Sequence, residues 1–369
     1  MPKPAQNIPA MARLQVAILG ASGYIGADLI RLLRAHAHVE ILALSGDAKA
    51  GQSLEMVYPH LGFDHQLPAG NAGLGRPLPA LQRIEDIDFD AIDLVFGCLP
   101  HGASESHLGP LAARLPIIDH SADFRFSDPT LYAATYQRAH EHPALLPDAV
   151  YGLTEFARTR LRAKPNIVAC PGCYPTATLL ALLPALTSGL IEADDLIIDA
   201  KSGVSGAGRG LKEANLFCEI GESTHPYSIG NHRHAPEIEQ ILSRFARKPV
   251  MVNFTPHLVP MSRGELVTIY AKLAPGVDWN DVRQSLIGHY AQEPFVHIAS
   301  EGMAPATRHV RGSNHCVINV FADRLKNRVI IVSTIDNLVK GSAGQAIQNL
   351  NVMMDWPEST ALEQAPLFP

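Results

Sequence analysis

A chain of 369 residues, 47% hydrophobic and 18% charged, can bury a sizeable core, and about 150 residues per domain sets an expectation of two to three domains. Lys and Arg number 30 against 36 Asp and Glu, a formal charge of −6 with no long basic run, which argues against a nucleic-acid or anionic-membrane binder. Five cysteines are too few, and odd in number, for a disulfide framework. The longest apolar stretch, 177–186, is broken by Thr178 and Pro184 and is about half a bilayer span. The opening residues carry no secretory pattern, so a cytoplasmic location is expected, with Met11 a candidate alternative start.

In chain order, 14–19 reads as a short buried strand ending at Gly20, and 23–35 as a helix with Ile25, Leu29, Leu32 and Leu33 at helical spacing. Residues 39–44, 93–99 and 116–119 read as further strands. The alternation predicts an α/β fold with a Rossmann-type, doubly wound parallel sheet. Between Gly46 and Leu81 the chain is rich in Gly and Pro and shows no period. Beyond Cys173 the pattern changes. A strand at 196–200, β-rich stretches at 250–273 and 315–335, and an intervening helix at 278–290 predict a second α+β domain with a mostly antiparallel sheet. A last helix is predicted over 340–354.

The first strand runs into Gly20-Ala-Ser22-Gly23-Tyr24-Ile25-Gly26. Glycines there let the backbone turn tightly and approach a pyrophosphate seated on the opening N–H groups of a helix. The spacing is G-x-x-G-x-x-G, and its placement between strand and helix is what raises it above an ordinary turn. The second strand ends at Ser45, with Asp47 and Lys49 following. A small hydroxyl with a nearby lysine suits the 2′-phosphate of NADP(H) better than the free ribose hydroxyl of NAD.

In Cys170-Pro-Gly-Cys173-Tyr-Pro-Thr176, Cys173 opens a helix, where the dipole would lower its pKa and favour the thiolate. A nucleophile, a C-x-x-C redox or zinc half-site, and two buried structural thiols compete for this segment. The cysteines at 98, 218 and 316 supply no second pair for zinc. A thiol beside a nicotinamide is the minimal equipment for acyl–aldehyde interconversion, which puts the nucleophile ahead. No H-E-x-x-H occurs, no metal is expected, and His36, His38, His140 and His142 read as solvated.

The ordered set 20–26, Ser121-Ala-Asp-Phe-Arg125, Tyr151-Gly-Leu153, 171–176, Lys201-Ser-Gly-Val-Ser-Gly-Ala-Gly-Arg209, His232-Arg-His-Ala-Pro-Glu-Ile238 and Lys340-Gly-Ser-Ala-Gly-Gln-Ala346 resembles the N-acetyl-gamma-glutamyl-phosphate reductase family over nearly the whole chain. The resemblance implies NADPH-dependent reduction of an acyl phosphate to a semialdehyde in arginine biosynthesis, with Cys173 as nucleophile. It also implies a domain of 12–172 completed by 337–369, a catalytic and oligomerisation domain of 173–336, and a homodimer or homotetramer. It places His232 and His234 at the active site without choosing between them, and Asn337 on the nicotinamide carboxamide. Many members carry Asn where this chain has Cys170, so a reversible Cys170–Cys173 disulfide is a further expectation.

Other groups are weighed on position. His234 and Glu237 are three apart at a helix start signalled by Pro236 and can touch. Arg125 follows a parallel strand and is a candidate carboxylate clamp, held by Asp123 or simply ion-paired with it. His101 ends another strand and is expected near the cofactor ribose. Ser202 to Arg209 reads as a loop whose N–H groups could meet an acyl oxygen or phosphate, with Lys201, Arg209 and Lys212 as cationic partners; Arg233 is a further anion ligand. Two alternatives stay open: reduction of a related acyl phosphate, such as an aminoadipyl phosphate, and a non-catalytic NADP-sensing regulator.

Overall fold

A computed structural model describes residues 13–66 and 77–368; Met11 and part of the 46–81 excursion lie outside the described residues. Strands β1 (Leu14–Leu19), β2 (Val39–Ser45), β3 (Leu81–Gln82), β4 (Leu94–Gly97), β5 (Ile117–Asp119), β6 (Val150–Tyr151) and β7 (Ile167–Ala169) form one sheet in the order β3-β2-β1-β4-β5-β7-β6. Every pairing in it is parallel. Strand order reverses between β1 and β4, and the crevice at their carboxyl ends is where such sheets take ligands. Helix α1 (Tyr24–Leu33) covers this sheet with Leu29, Ile30, Leu32 and Leu33, all buried. Short α2 (Leu54–Val57), α3 (Ala103–Leu111), α4 (Pro129–Tyr136) and α5 (Thr154–Arg162) follow.

Helix α6 (Cys173–Thr187) leads out of β7, and every residue from Tyr174 to Leu186 is buried. It has no polar face because it is wrapped on all sides, by the second sheet and by α8 (His234–Ala246) and α9 (Trp279–Tyr290). That sheet contains β8 (Leu196–Gly203), β9 (His225–Pro226), β10 (Val252–Val259), β11 (Glu265–Lys272), β12 (Val296–Ile298), β13 (Cys316–Ala322) and β14 (Arg328–Ile335), in the order β12-β13-β14-β11-β8-β10-β9. Of its six pairings four are antiparallel, with β10–β8 and β12–β13 parallel. Between β8 and α8 the chain also forms the single turn α7 (Phe217–Ile220).

The predicted 340–354 helix is a π turn over Val339–Ala343 followed by α10 (Gly344–Met353). α10 packs on α5 and is buried throughout, although four of its residues are Gln or Asn. Those amides bond to the first unit: Asn349 and Gln345 donate to Gly152 O, at 2.8 and 3.1 Å, and Asn351 accepts from His36 at 2.9 Å. Lys340, fully buried, donates to Glu155 at 2.6 Å and to Gln348 at 2.7 Å. Two of the histidines read as solvated are thereby corrected: His36 is buried against Asn351, and His140 is buried beside Glu105 at 3.1 Å. Both bond to groups far away in sequence.

Candidate active site

Cys173 is the first residue of α6, and Gly172 precedes it in extended conformation with no side chain capping the helix. The dipole therefore acts on the thiol as expected, yet the pKa lies well above that of a free cysteine. Burial disfavours the thiolate, and the Glu265 carboxyl beside it adds to this; the Tyr174 N–H and Arg125 oppose it but do not win. Cys170 points elsewhere. It lies in the first core with the Asn349 amide 3.9 Å from its sulfur, whereas Cys173 packs against the second core. A disulfide between them would need one thiol to leave its core.

The turn before Cys173 is held by Glu237, which is fully buried. Its Oε1 accepts from the Gly172 N–H at 3.0 Å and from the Tyr151 hydroxyl at 2.8 Å; its Oε2 accepts from Arg125 Nη1 at 3.0 Å. Arg125 also donates from Nε to Cys170 O and from Nη2 to His120 O, both at 2.8 Å. Asp123 does not hold Arg125. Its carboxylate accepts from the N–H groups of Gly102 and Glu105 and from Tyr132, fixing the start of α3. Arg125 is thus a buried brace for the cysteine turn. Glu237 is likewise spent on Arg125, Tyr151 and Gly172, leaving His234 without a carboxylate partner among the described residues.

Helix α8 starts at His234, so Pro236 is its third residue. His232 Nδ1 accepts from the His234 backbone N–H at 3.1 Å. The His234 ring faces the cysteine turn: a Cβ on Gly172 would sit 2.5 Å from its Nε2. Nδ1 of His234 has no partner among the described residues. Burial, then neighbouring His232 and Arg125, holds His234 well below the usual imidazole range; burial and Arg233 bring His232 down to about 4. Both rings are neutral at working pH. Gly172→Ala should therefore displace His234 and lower kcat by on the order of 100-fold while iodoacetamide still alkylates Cys173. Unchanged kcat in that variant would show that the contact does not matter.

At the cofactor crevice, Gly20 has φ +87, and a Cβ there would lie 2.4 Å from Cys98 O. A Cβ on Gly26 would meet Ala21 Cα at 2.7 Å. Gly23 precedes Tyr24 and Ile25 at the start of α1, where no side chain caps the helix and its first turn holds no acidic residue. Such a cradle fits a dinucleotide pyrophosphate. Ser45 lies beneath it, buried, its hydroxyl oxygen accepting from the Gly20 N–H at 3.0 Å. Exposed Asp47 accepts from the Ile84 N–H at 3.3 Å, while half-buried Lys49 ends the same short turn. Exposed His101 accepts from the Ala122 N–H at 2.9 Å.

Several cationic and polar residues are relocated. Arg209 donates to Ser22 O at 3.1 Å and lies over the Tyr58 ring at 4.7 Å, so it reaches the glycine loop. Lys201 pairs with Asp199 on the outward side of β8. Ser202 belongs to β8, buried, donating to Gly203 O at 3.1 Å. The N–H groups of Gly203, Val204 and Ser205 are taken by carbonyls of Gly264, Met261 and Ser262, so they are not free for an oxyanion. Asn337 accepts from the Gly264 N–H at 2.8 Å and donates to Ser205 at 3.0 Å, tying these turns together. Arg233 is exposed, with its guanidinium 5.3 Å from the Tyr136 ring.

Gly341 belongs to the last of the sequence motifs, 340–346, and Glu265 is the site residue that no motif marks. Gly341, in the π turn, allows that turn to press on the cysteine: a Cβ there would lie 2.7 Å from Cys173 Cβ. Glu265 opens β11 in phase with Val267, Ile269 and Ala271, all buried, so strand alternation alone puts its carboxyl inside. Among the described residues no cluster of three or more His, Cys, Asp or Glu is placed to hold a metal. No helix among them is long and apolar enough to cross a membrane.

A glycine-cradled doubly wound sheet, joined through a cysteine-headed helix to a mixed sheet, defines a semialdehyde dehydrogenase class. Residues 15–164 match the family model "Semialdehyde dehydrogenase, NAD binding domain", and 173–337 match "Semialdehyde dehydrogenase, dimerisation domain". The solved aspartate semialdehyde dehydrogenase II from Vibrio cholerae shares the fold at TM-score 0.70 and 18% identity, over 94% of this chain and 99% of that one. N-acetyl-gamma-glutamyl-phosphate reductase of Rhodospirillum rubrum is 52% identical over 97% of this chain and 99% of its own length. The probable chloroplastic counterpart of Arabidopsis thaliana is 49% identical over 96% of this chain and 86% of its own length. The chain belongs to the N-acetyl-gamma-glutamyl-phosphate reductase family, enzymes that are oxidoreductases of the aldehyde group.

Proposed function

We propose that the protein reduces N-acetyl-L-glutamyl 5-phosphate to N-acetyl-L-glutamate 5-semialdehyde with NADPH, releasing phosphate, as a cytoplasmic step of arginine biosynthesis. The observation that carries this is Cys173 at the head of α6, with His234 facing the Gly172 turn beside it. The Cys173 sulfur attacks the acyl carbon and expels phosphate, leaving a thioester on the enzyme. NADPH, when bound, supplies a hydride. His234, neutral, is the hydrogen-bonding and proton-handling group for the substrate oxygen, and His232 holds the start of its helix. Glu237 and Arg125 position the turn. Exposed Arg233 is the substrate-anion ligand.

Gly20, Ser22, Gly23, Tyr24, Ile25 and Gly26 would cradle the pyrophosphate. Lys49 and Arg209 supply positive charge there, and Asp47, one of whose oxygens is engaged by the Ile84 N–H, leaves NADP favoured over NAD. His101 and Asn337 border the crevice. Residues 12–172 with 337–369 act as the cofactor unit, and 173–336 as the catalytic one. The outward row Ile197, Tyr270, Ile330 and Phe321 lies in cross-strand register and is only half-buried, which supports a homodimer or homotetramer built on this face. The test is the reverse assay: phosphate-dependent reduction of NADP by N-acetyl-glutamate semialdehyde, with the aminoadipate analogue and NAD as comparisons. No phosphate-dependent turnover would overturn the proposal, and preference for the analogue would reassign the substrate.

A further inference from the structure

The thiol of a cysteine nucleophile must give up a proton when the sulfur is acylated and regain it when the product leaves. No hydrogen bond joins Cys173 to His232 or His234 among the described residues: His232 is engaged by a backbone N–H, and His234 lies over Gly172. The titratable carboxyl beside the thiol is Glu265: it pairs across strands with Ile335, whose Cδ1 crowds the same Gly341 position as the Cys173 Cβ. It opens β11, opposite Ser202 of β8 and Ile335 of β14, and is fully buried. Neither carboxyl oxygen makes a well-formed hydrogen bond among the described residues, although the Cys173 thiol lies within interacting reach. A buried, unpaired carboxyl in contact with a reactive thiol is costly to keep unless it serves the chemistry.

We propose that Glu265 is the proton partner of Cys173, taking the thiol proton as the sulfur is acylated and returning it as the aldehyde is released. The proposal rests on Cys173 being the nucleophile. In acylation the S–H bond breaks, the S–C bond forms, the C–O bond to phosphate breaks, and the proton passes to Glu265. The departing phosphate takes its proton from solvent. After hydride addition the oxyanion collapses to the aldehyde, the S–C bond breaks, and the sulfur recovers the proton from Glu265. The net reaction consumes one acyl phosphate, one NADPH and one solvent proton.

Burial, together with Asp336, raises the Glu265 carboxyl to about 8, so it is poised to exchange a proton near neutral pH. The other groups around it do not supply a cation. Tyr174 on α6, Tyr227 and Cys316 on β13 each feel Glu265 as a negative neighbour, and Arg125 acts on Cys173. A negative charge on either Cys173 or Glu265 thus disfavours one on the other.

The experiment measures kcat, KM and the pH profile of Cys173 alkylation by iodoacetamide, located by mass spectrometry, in the wild type and in Glu265→Gln and Glu265→Asp. The wild-type alkylation rate should bend near pH 8, where the carboxylate forms and discourages a second negative charge. Glu265→Gln should lose the bend and keep rising with pH. Its kcat should fall on the order of 100-fold with KM little changed, and Asp should restore part of it. Melting temperature checks folding: the glutamine variant should gain stability over the wild type as pH rises from 4.5 to about 8 and hold that gain above it, because in this window the unfolded chain ionises Glu265 while the folded protein keeps it neutral. An identical alkylation profile together with unchanged kcat in a folded Glu265→Gln enzyme would overturn the proposal. If Cys173→Ala keeps turnover, the nucleophile assignment has failed instead.

Discussion

Cys173→Ala is expected to lose turnover by at least about 10⁴-fold while still binding NADPH, because the variant keeps the glycine cradle and loses only the sulfur proposed to form the thioester. The two sites are structurally separable. Gly20 to Gly26 are set by β1 and α1, whereas Cys173 is set by the 170–172 turn and by Glu237. Fluorescence titration with NADPH and a single-turnover assay in the same preparation test this. An alanine variant that retains wild-type turnover would end the assignment of Cys173, and loss of NADPH binding would show that the sites are coupled. Cys173→Ser should behave almost like alanine, since a hydroxyl at this half-buried position ionises even less readily than the thiol.

Glu237→Ala should be the most destabilising single change near the site. The Arg125–Glu237 pair is buried on both sides, with side chains 6% and 0% exposed. Removing the carboxylate strands a guanidinium, a loss of about 3–5 kcal/mol, and deprives Tyr151 and the Gly172 N–H of their acceptor. At about 2–4 °C per kcal/mol for a domain of this size, the melting temperature should fall on the order of 10 °C. Adding Arg125→Met should recover part of the stability, because the stranded charge goes with it, but not the activity, because the cysteine turn remains unbraced. A Glu237→Ala enzyme with wild-type melting temperature and kcat would mean that the pair does not hold the turn.

These two residues differ in how legible they were. Cys173 is readable because its signal is local: an apolar strand, a Pro-Gly turn and a helix start adjoin in sequence. The glycine loop is readable for the same reason. For Glu237 the sequence suggests His234 as a partner, since spacing along a helix lists neighbours three residues away and says nothing of Arg125, which comes from beyond β5. Arg125 for its part seemed free to clamp a carboxylate, and folding had already committed its Nε, Nη1 and Nη2. The dipole argument for a low-pKa thiol failed because a helix start contributes a modest, local term, while desolvation depends on everything packed around it.

The second unit shows the same division. Residues 201–203 have the composition of a loop, yet β8 runs through them because β10 and β11 flank it and take up its backbone groups. Lys201 then faces outward to Asp199, and Ser202 turns inward. α10 has Gln and Asn on faces that local pattern assigns to solvent, and it is buried because Gly152, Glu155 and His36 supply hydrogen bonds from across the molecule. By itself the sequence determined the two units, the glycine cradle, the cysteine-headed helix and the family, because each is written in contiguous residues whose backbone preferences agree. Only the tertiary structure decided which charged groups are braces and which remain free, why the thiol is held protonated, and that Glu265 stands beside it. Those outcomes depend on burial and on partners distant in the chain, and neither is a property of a local segment.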